Sequence, residues 1–308
     1  MRTTAAHRGK HLTGSEVVQR TDACPICLDR APRPAVFRIQ TAPDIDLLHC
    51  QRCRAYSASH MPRPDVLDAY YGQYYQDEKV NRVTFQDVEH FGGYLARQID
   101  TAPMPPTIRI MDFGGGDGSV ALVMARQLLA RDQARRVRIM TVDYEPPRPT
   151  GDPRIDLFHS SPDEPIPEKF DIVLASAVLE HIPEVHEVFV RLLDSVAAGG
   201  YFYARTPYAV PLTKVFRNLD LTYPAHVHDM GCGFWNRLIE LFRFDGRYVA
   251  SRPSIVESRF RDDPVRALAA HVLKLPARIE GLISPAGRKD RFWTLVGGWE
   301  VLLQRSNA

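Results

Sequence analysis

Ile108-Arg-Ile-Met-Asp112-Phe-Gly114-Gly-Gly116-Asp-Gly118-Ser119 is the stretch that decides the fold of this chain. An apolar run ends in an acidic residue, glycines follow at every second position, and a helix-forming run from Val120 to Leu129 comes next. That order predicts a β-strand, a tight turn and a helix start. Glycine suits the turn because it takes φ > 0 without strain and lets a ligand lie against the backbone. The helix N-terminus behind it offers N–H groups that have no partner inside the helix.

Outward from this turn, strands and helices alternate. Val137 to Val142 reads as a second strand ending at Asp143, Ile155 to Phe158 as a third, and Phe170 to Ser176 as a fourth. An amphipathic helix, Val185 to Ala197, leads through Gly199-Gly200 to a fifth strand, Tyr201 to Arg205. Gly233 to Leu241 reads as a helix, and Gly246 to Arg252 and Trp299 to Gln304 as the last strands, with a helical insertion near 263–287 interrupted at Pro276. Such alternation predicts an α/β fold with helices on both faces of a mainly parallel sheet over residues 107–308. Residues 61–106 read as a helical connector and cap, carrying Tyr70, Tyr71, Tyr74 and Tyr75 at helical spacing. Residues 1–20 are polar and are expected to be poorly ordered.

Cys24-Pro-Ile-Cys27 and Cys50-Gln-Arg-Cys53 define a further module over residues 21–60. Two C-x-x-C pairs point four thiolates at one ion, the pattern of a zinc ribbon. A closed shell of four sulfurs assigns Zn2+ a structural part rather than a catalytic one. Four unmetallated thiols, or a rubredoxin-like iron, are the alternatives. Cys232 stands alone and reads as a small buried apolar residue.

The net charge of +2 is close to neutral and does not favour a long polyanion as partner. No apolar run reaches the roughly 18 residues of a membrane span. The N-terminal segment shows no secretory h-region, so a cytoplasmic location is the expectation. The composition is 44% hydrophobic, enough for a packed core.

The pattern D-x-G-x-G-x-G at 112–118 resembles motif I of the class I S-adenosyl-L-methionine-dependent methyltransferases. The resemblance implies a Rossmann-like sheet and a cofactor site at the strand ends. Asp112 would hold the methionine end, and Gly114, Gly116 and Gly118 would let the cofactor lie on the backbone. Asp143 would accept hydrogen bonds from both ribose hydroxyls, with Tyr144 flanking the adenine. For the adenine amino group Ser160, His159 and Asp163 all remain candidates. Ser176-Ala-Val-Leu-Glu180-His181-Ile-Pro183 resembles the family's LEH-hydrophobic-P segment, which places Ser176, Glu180 and His181 beside the methyl group. The loose dinucleotide fingerprint G-x-G-x-x-A also fits 116–121, but Asp112 and Asp117 would repel a pyrophosphate and attract a cation.

Thr222-Tyr223-Pro-Ala-His226-Val-His228-Asp229 follows the fifth strand, where an acceptor would sit. His226 or His228, alternating in an extended segment, is the candidate general base, with His181 as a third and Tyr223 or Asp229 as an orienting group. A second metal at His226 and His228 lacks an obvious third ligand in the sequence. Four cysteines, a tyrosine-rich helix and this core together resemble the zinc-containing sugar C-methyltransferases and related natural-product methyltransferases. That resemblance covers most of residues 24–250 and implies a small-molecule acceptor, with a sugar nucleotide as one candidate. The rival readings are an RNA methyltransferase whose zinc module binds RNA, and a non-catalytic interaction protein that keeps the fold.

Overall fold

The computed structural model describes residues 9–18, 22–76, 87–144, 146–213, 220–254, 264–283 and 297–307. A 3-10 turn at Gly14–Glu16 leads into β1 (Val17–Val18). Then come β2 (Ala35–Gln40), β3 (Ile45–His49), β4 (Tyr56–Ala58), β5 (Met61–Pro62), α1 (Pro64–Gln76) and α2 (Val88–Gln98). The alternating part holds β6 (Thr107–Phe113), α3 (Ser119–Arg131), β7 (Arg136–Val142), β8 (Ile155–Ser160), β9 (Phe170–Ser176), α4 (Val185–Asp194) and β10 (Val196–Tyr208). The short α5 (Val210–Thr213), β11 (His228–Asp229), α6 (Cys232–Trp235) and α7 (Leu238–Leu241) precede β12 (Gly246–Pro253), α8 (Pro264–Ile283) and β13 (Gly297–Arg305).

The main sheet has the order β12-β13-β10-β9-β6-β7-β8. Strands β10, β9, β6, β7 and β8 run parallel, while β13 is antiparallel to both β10 and β12. Period-2 alternation divides its side chains between two cores. Tyr201 and Tyr203 of β10, with Ile108 and Ile110 of β6, pack under α2 and α3 against Phe91, Leu95, Met124 and Leu128. Phe202 and Ala204, with Phe113, Val173 and Ala175, face the other way, toward Phe189, Phe234 and Trp235. Each fully buried Leu or Phe contributes roughly 2 kcal/mol. Strand order reverses between β6 and β9, which opens a crevice at their carboxyl ends.

A second sheet, β11-β4-β3-β2, is the cysteine ribbon plus a strand from the main domain. His228 and Asp229 of β11 pair with Ser57 and Tyr56 of β4. The ribbon is therefore stitched to the segment that follows the fifth parallel strand.

Several elements depart from the sequence reading. Residues 9–18 are ordered, not loose: Leu12 is fully buried, and its backbone exchanges two hydrogen bonds with the amide of Gln40. Val17–Val18 pairs with Met61–Pro62. Residues 1–8 and 19–20 of the expected flexible segment lie outside the described residues. The helix at 264–283 runs through Pro276; proline removes one hydrogen bond and bends a helix without always ending it. The helix expected over Gly233 to Leu241 is two short ones, broken at Asn236–Arg237. Among the described residues no helix is long and apolar enough to cross a membrane.

Candidate active site

The turn after β6 is shaped by its glycines. Gly114 has φ +68°, and a Cβ there would strike Val178, in the loop after β9. Gly116 has φ +55° and nothing within 4 Å of where its Cβ would be. The first glycine lets two loops touch, and the second leaves open space over the backbone. Gly118, at φ +72°, is the N-cap of α3. Asp143, at the end of β7, spans the turn's mouth: Oδ2 accepts from the Gly116 N–H at 2.7 Å and Oδ1 from the Tyr144 N–H at 2.7 Å. Each oxygen keeps a second lone pair for another donor.

Asp112 is buried below the turn, and its Oδ2 has no hydrogen-bond partner among the described residues. Burial, with the Asp143 charge adding to it, pushes its pKa up to about 7. An ion of positive charge above this turn would relieve both effects.

Tyr144 is 69% exposed on the rim. Ser160 donates to Glu164 Oε2 at 2.8 Å, and its carbonyl accepts from the Asp143 N–H at 3.2 Å. His159 lies with Nε2 2.9 Å from the Asp143 carbonyl. Ser176 ends β9, with its hydroxyl 3.5 Å from Nε of the buried Arg205, a residue the sequence reading did not single out.

The LEH segment is a 3-10 turn, Leu179–His181. It places Glu180, His181 and His226 together, with a donor atom of each within 4.8 Å of the others. Glu180 is fully buried, and desolvation pushes its pKa up to about 8. The His181 and His226 rings have centroids 4.8 Å apart, and Tyr71 of α1 meets His181 edge-on at 6.1 Å. The side chains of Tyr74 and Tyr75 lie outside the described residues.

His226 and His228 do not face the same way, contrary to the expectation for an extended segment. His228 is 3% exposed. Its Nδ1 lies 2.9 Å from the Ser57 hydroxyl and its Nε2 2.9 Å from the Ile182 carbonyl. Burial pushes its pKa down to about 4. It clips the ribbon to the LEH turn and turns no nitrogen toward an acceptor. Tyr223 is likewise buried in the ribbon's core and donates to the His60 carbonyl at 3.1 Å. Asp229 accepts from the Ala209 and Val210 N–H groups at 2.6 and 3.2 Å, which fixes the chain after β10. Thr222, which the sequence reading placed in this segment without a role, holds Nδ1 of His226 at 2.5 Å from its hydroxyl.

The four ribbon cysteines converge. Cys24 Sγ lies 3.8 Å from Cys53 Sγ, and Cys27 Sγ 3.6 Å from Cys50 Sγ. These are too long for disulfides. A regular tetrahedron of thiolates about 2.3 Å from zinc has edges of about 3.8 Å, so the donor set fits Zn2+. Both knuckles turn alike: Leu28 and Arg54 have φ +59° and +65° and donate to the Cys24 and Cys50 carbonyls.

A family model described as a methyltransferase domain matches residues 82–240, more than half of the chain. The chain belongs to this family, and its seven-stranded, mostly parallel sheet is the class I, S-adenosyl-L-methionine-dependent form. Among solved structures the chain is similar to the [4+2]-cyclase SpnF, at 17% identity over 72% of this chain and 82% of that one, TM-score 0.41. It is also similar to coclaurine N-methyltransferase, at 13% identity over 70% of each chain, TM-score 0.42. The mitomycin 7-O-methyltransferase is 13% identical over 78% of this chain and 63% of that one, TM-score 0.43. No curated protein sequence matches significantly.

Proposed function

We propose that this protein transfers a methyl group from S-adenosyl-L-methionine to a small-molecule acceptor seated between the cofactor turn and the Glu180–His181–His226 cluster. The single observation behind this reading is the turn itself: open space over Gly116, an unpartnered buried oxygen on Asp112, and Asp143 across the mouth. When bound, the cofactor supplies a methyl group already activated on a sulfonium. The chain's own residues do the rest. Asp112 faces the ammonium end, Asp143 offers its remaining lone pairs to the ribose hydroxyls, and Tyr144 flanks the adenine. Paired carboxylates suit a cation and repel a pyrophosphate, which favours this cofactor over a dinucleotide.

Methyl transfer needs alignment first. An acceptor hydroxyl, amine or activated carbon also needs to lose a proton, and His226 is the ring placed to receive it, with Thr222 fixing its orientation. The near-neutral charge supports a small acceptor, such as a sugar nucleotide or natural-product intermediate, over RNA. The four cysteines would hold Zn2+ and keep the ribbon in shape, with no open position for chemistry.

A screen of nucleotide sugars and hydroxylated secondary metabolites for S-adenosylhomocysteine release would identify the acceptor. With it, His226→Ala is expected to lower turnover by about 100-fold while cofactor affinity stays unchanged. Full turnover in that variant would remove the cluster from the acceptor chemistry.

A further inference from the structure

We propose that Glu180, His181 and His226 bind one divalent transition-metal ion beside the cofactor cleft, and that this ion receives an oxygen of the acceptor. One donor atom from each lies within 4.8 Å of the others. The Glu180 side chain is 1% exposed, and neither of its oxygens has a hydrogen-bond partner among the described residues. A cation bound beside this buried carboxyl group would stabilise its ionised form. Nε2 of His181 lies 3.7 Å from its Oε1.

The hydrogen bonds around the two rings decide where each lone pair points. Nδ1 of His181 lies 2.8 Å from the Ala225 carbonyl, which only accepts and so favours the proton on Nδ1, and the Ala177 carbonyl also acts on this ring. The Thr222 hydroxyl donates to the Leu221 carbonyl at 2.6 Å and therefore accepts from Nδ1 of His226, 2.5 Å away. The lone pair of His226 falls on Nε2. Anchoring one ring nitrogen on an oxygen and presenting the other is how metal-binding imidazoles are held.

Two imidazoles and a carboxylate suit Mn2+, Fe2+, Co2+ or Zn2+, and leave positions for water and an acceptor oxygen. Bonds of about 2.1 Å set neighbouring donors about 3 Å apart, so the three side chains draw together on binding. The turn carrying Glu180 and His181 follows Val178, which lies directly against Gly114. An oxygen on the ion is thus held next to the cofactor turn, and coordination makes a bound hydroxyl more acidic. This inference rests on placing the acceptor at this cluster; with the ion bound, His226 is a ligand and the acceptor's proton passes to water, whereas the ion-free protein leaves His226 as the base.

Mn2+ titrated into the full-length, zinc-loaded protein and followed by electron paramagnetic resonance reads the site without acceptor or turnover. Four thiolates are poor ligands for Mn2+, so the ribbon stays silent. One Mn2+ per chain is expected, with affinity falling more than about tenfold in Glu180→Gln and in His226→Ala and holding in Asp143→Ala. Thermal melting of each variant separates ligand loss from unfolding, and the wild-type stoichiometry decides if a variant does not fold. No specific Mn2+ binding by the wild type at millimolar concentration, or equal binding by both folded variants, overturns the proposal. A wild type that takes up Mn2+ but no S-adenosyl-L-methionine would count against the methyltransferase reading and leave the ion in place.

Discussion

Asp112 carries the charge logic of the glycine turn. Its folded pKa, about 7, lies above the ordinary value of about 3.9 in an unfolded chain. Without cofactor, ionising it costs stability, so the folded state weakens as pH rises from about 4 to about 7. A cationic ligand reverses the preference, because it binds the carboxylate and expels the proton. Affinity for S-adenosyl-L-methionine is therefore expected to rise from pH 5 to about 7 and then level off. Asp112→Asn should flatten that profile and weaken binding at pH 8 by about tenfold. Calorimetry across pH checks this, and a flat wild-type profile would detach Asp112 from the cofactor.

Residue positions were legible in the sequence where a local pattern carries them. The glycines at 114, 116 and 118, the acids at 112 and 143, and the four cysteines follow strand ends and fixed spacings. Contacts with residues distant in sequence were not. Nothing in Thr222 to Asp229 tells that Ser57 of the ribbon takes up His228, or that the Thr222 hydroxyl meets the His226 ring. Alternation in an extended segment implies a shared face, but only if the segment stays extended. Thr222 at φ +61° and the hydrogen bond from the His226 N–H back to the Thr222 carbonyl show a turn instead.

At the scale of elements, one polar network ties α2 to the antiparallel end of the sheet. Glu300 of β13, its side chain 2% exposed, accepts from Nε of Arg252 at 2.7 Å and from Tyr203 at 3.1 Å, and also meets Tyr94 of α2. Arg252 reaches Gln98 at 2.8 Å. Removing the arginine takes away the cation paired with this buried carboxylate. Arg252→Ala is expected to cost about 3 kcal/mol, measured by denaturant unfolding; a change under about 0.5 kcal/mol would show the pair to be dispensable. Apolar runs announced the central strands β6, β7 and β9 within a few residues, while β10 begins at Val196, five residues before the expected Tyr201. The short β1, β5 and β11 were not legible, because two-residue strands have no period and exist only through their partners.

The whole molecule is a methyltransferase sheet braced by a ribbon beside the LEH turn. β11 lies in the ribbon's sheet, and His226 precedes it by two residues. Zinc at Cys24, Cys27, Cys50 and Cys53 is thus expected to support the acceptor pocket from a distance. Metal analysis should find about one zinc per chain at these four thiolates. Stripping it with a strong chelator should lower the melting temperature by about 10 °C. A chain that loses zinc without any change in melting would separate the ribbon from the stability of the domain.

The central claim is that S-adenosyl-L-methionine rests over residues 112–118 with its ribose held by Asp143. Isothermal titration of this cofactor into the wild type and Asp143→Ala tests it most directly. One site per chain is expected, with affinity falling by about 30-fold in the variant, which loses both the ribose acceptor and the bond that holds the Gly116 N–H. Undiminished affinity in Asp143→Ala, or a wild type that binds a nicotinamide dinucleotide in its place, would contradict the account.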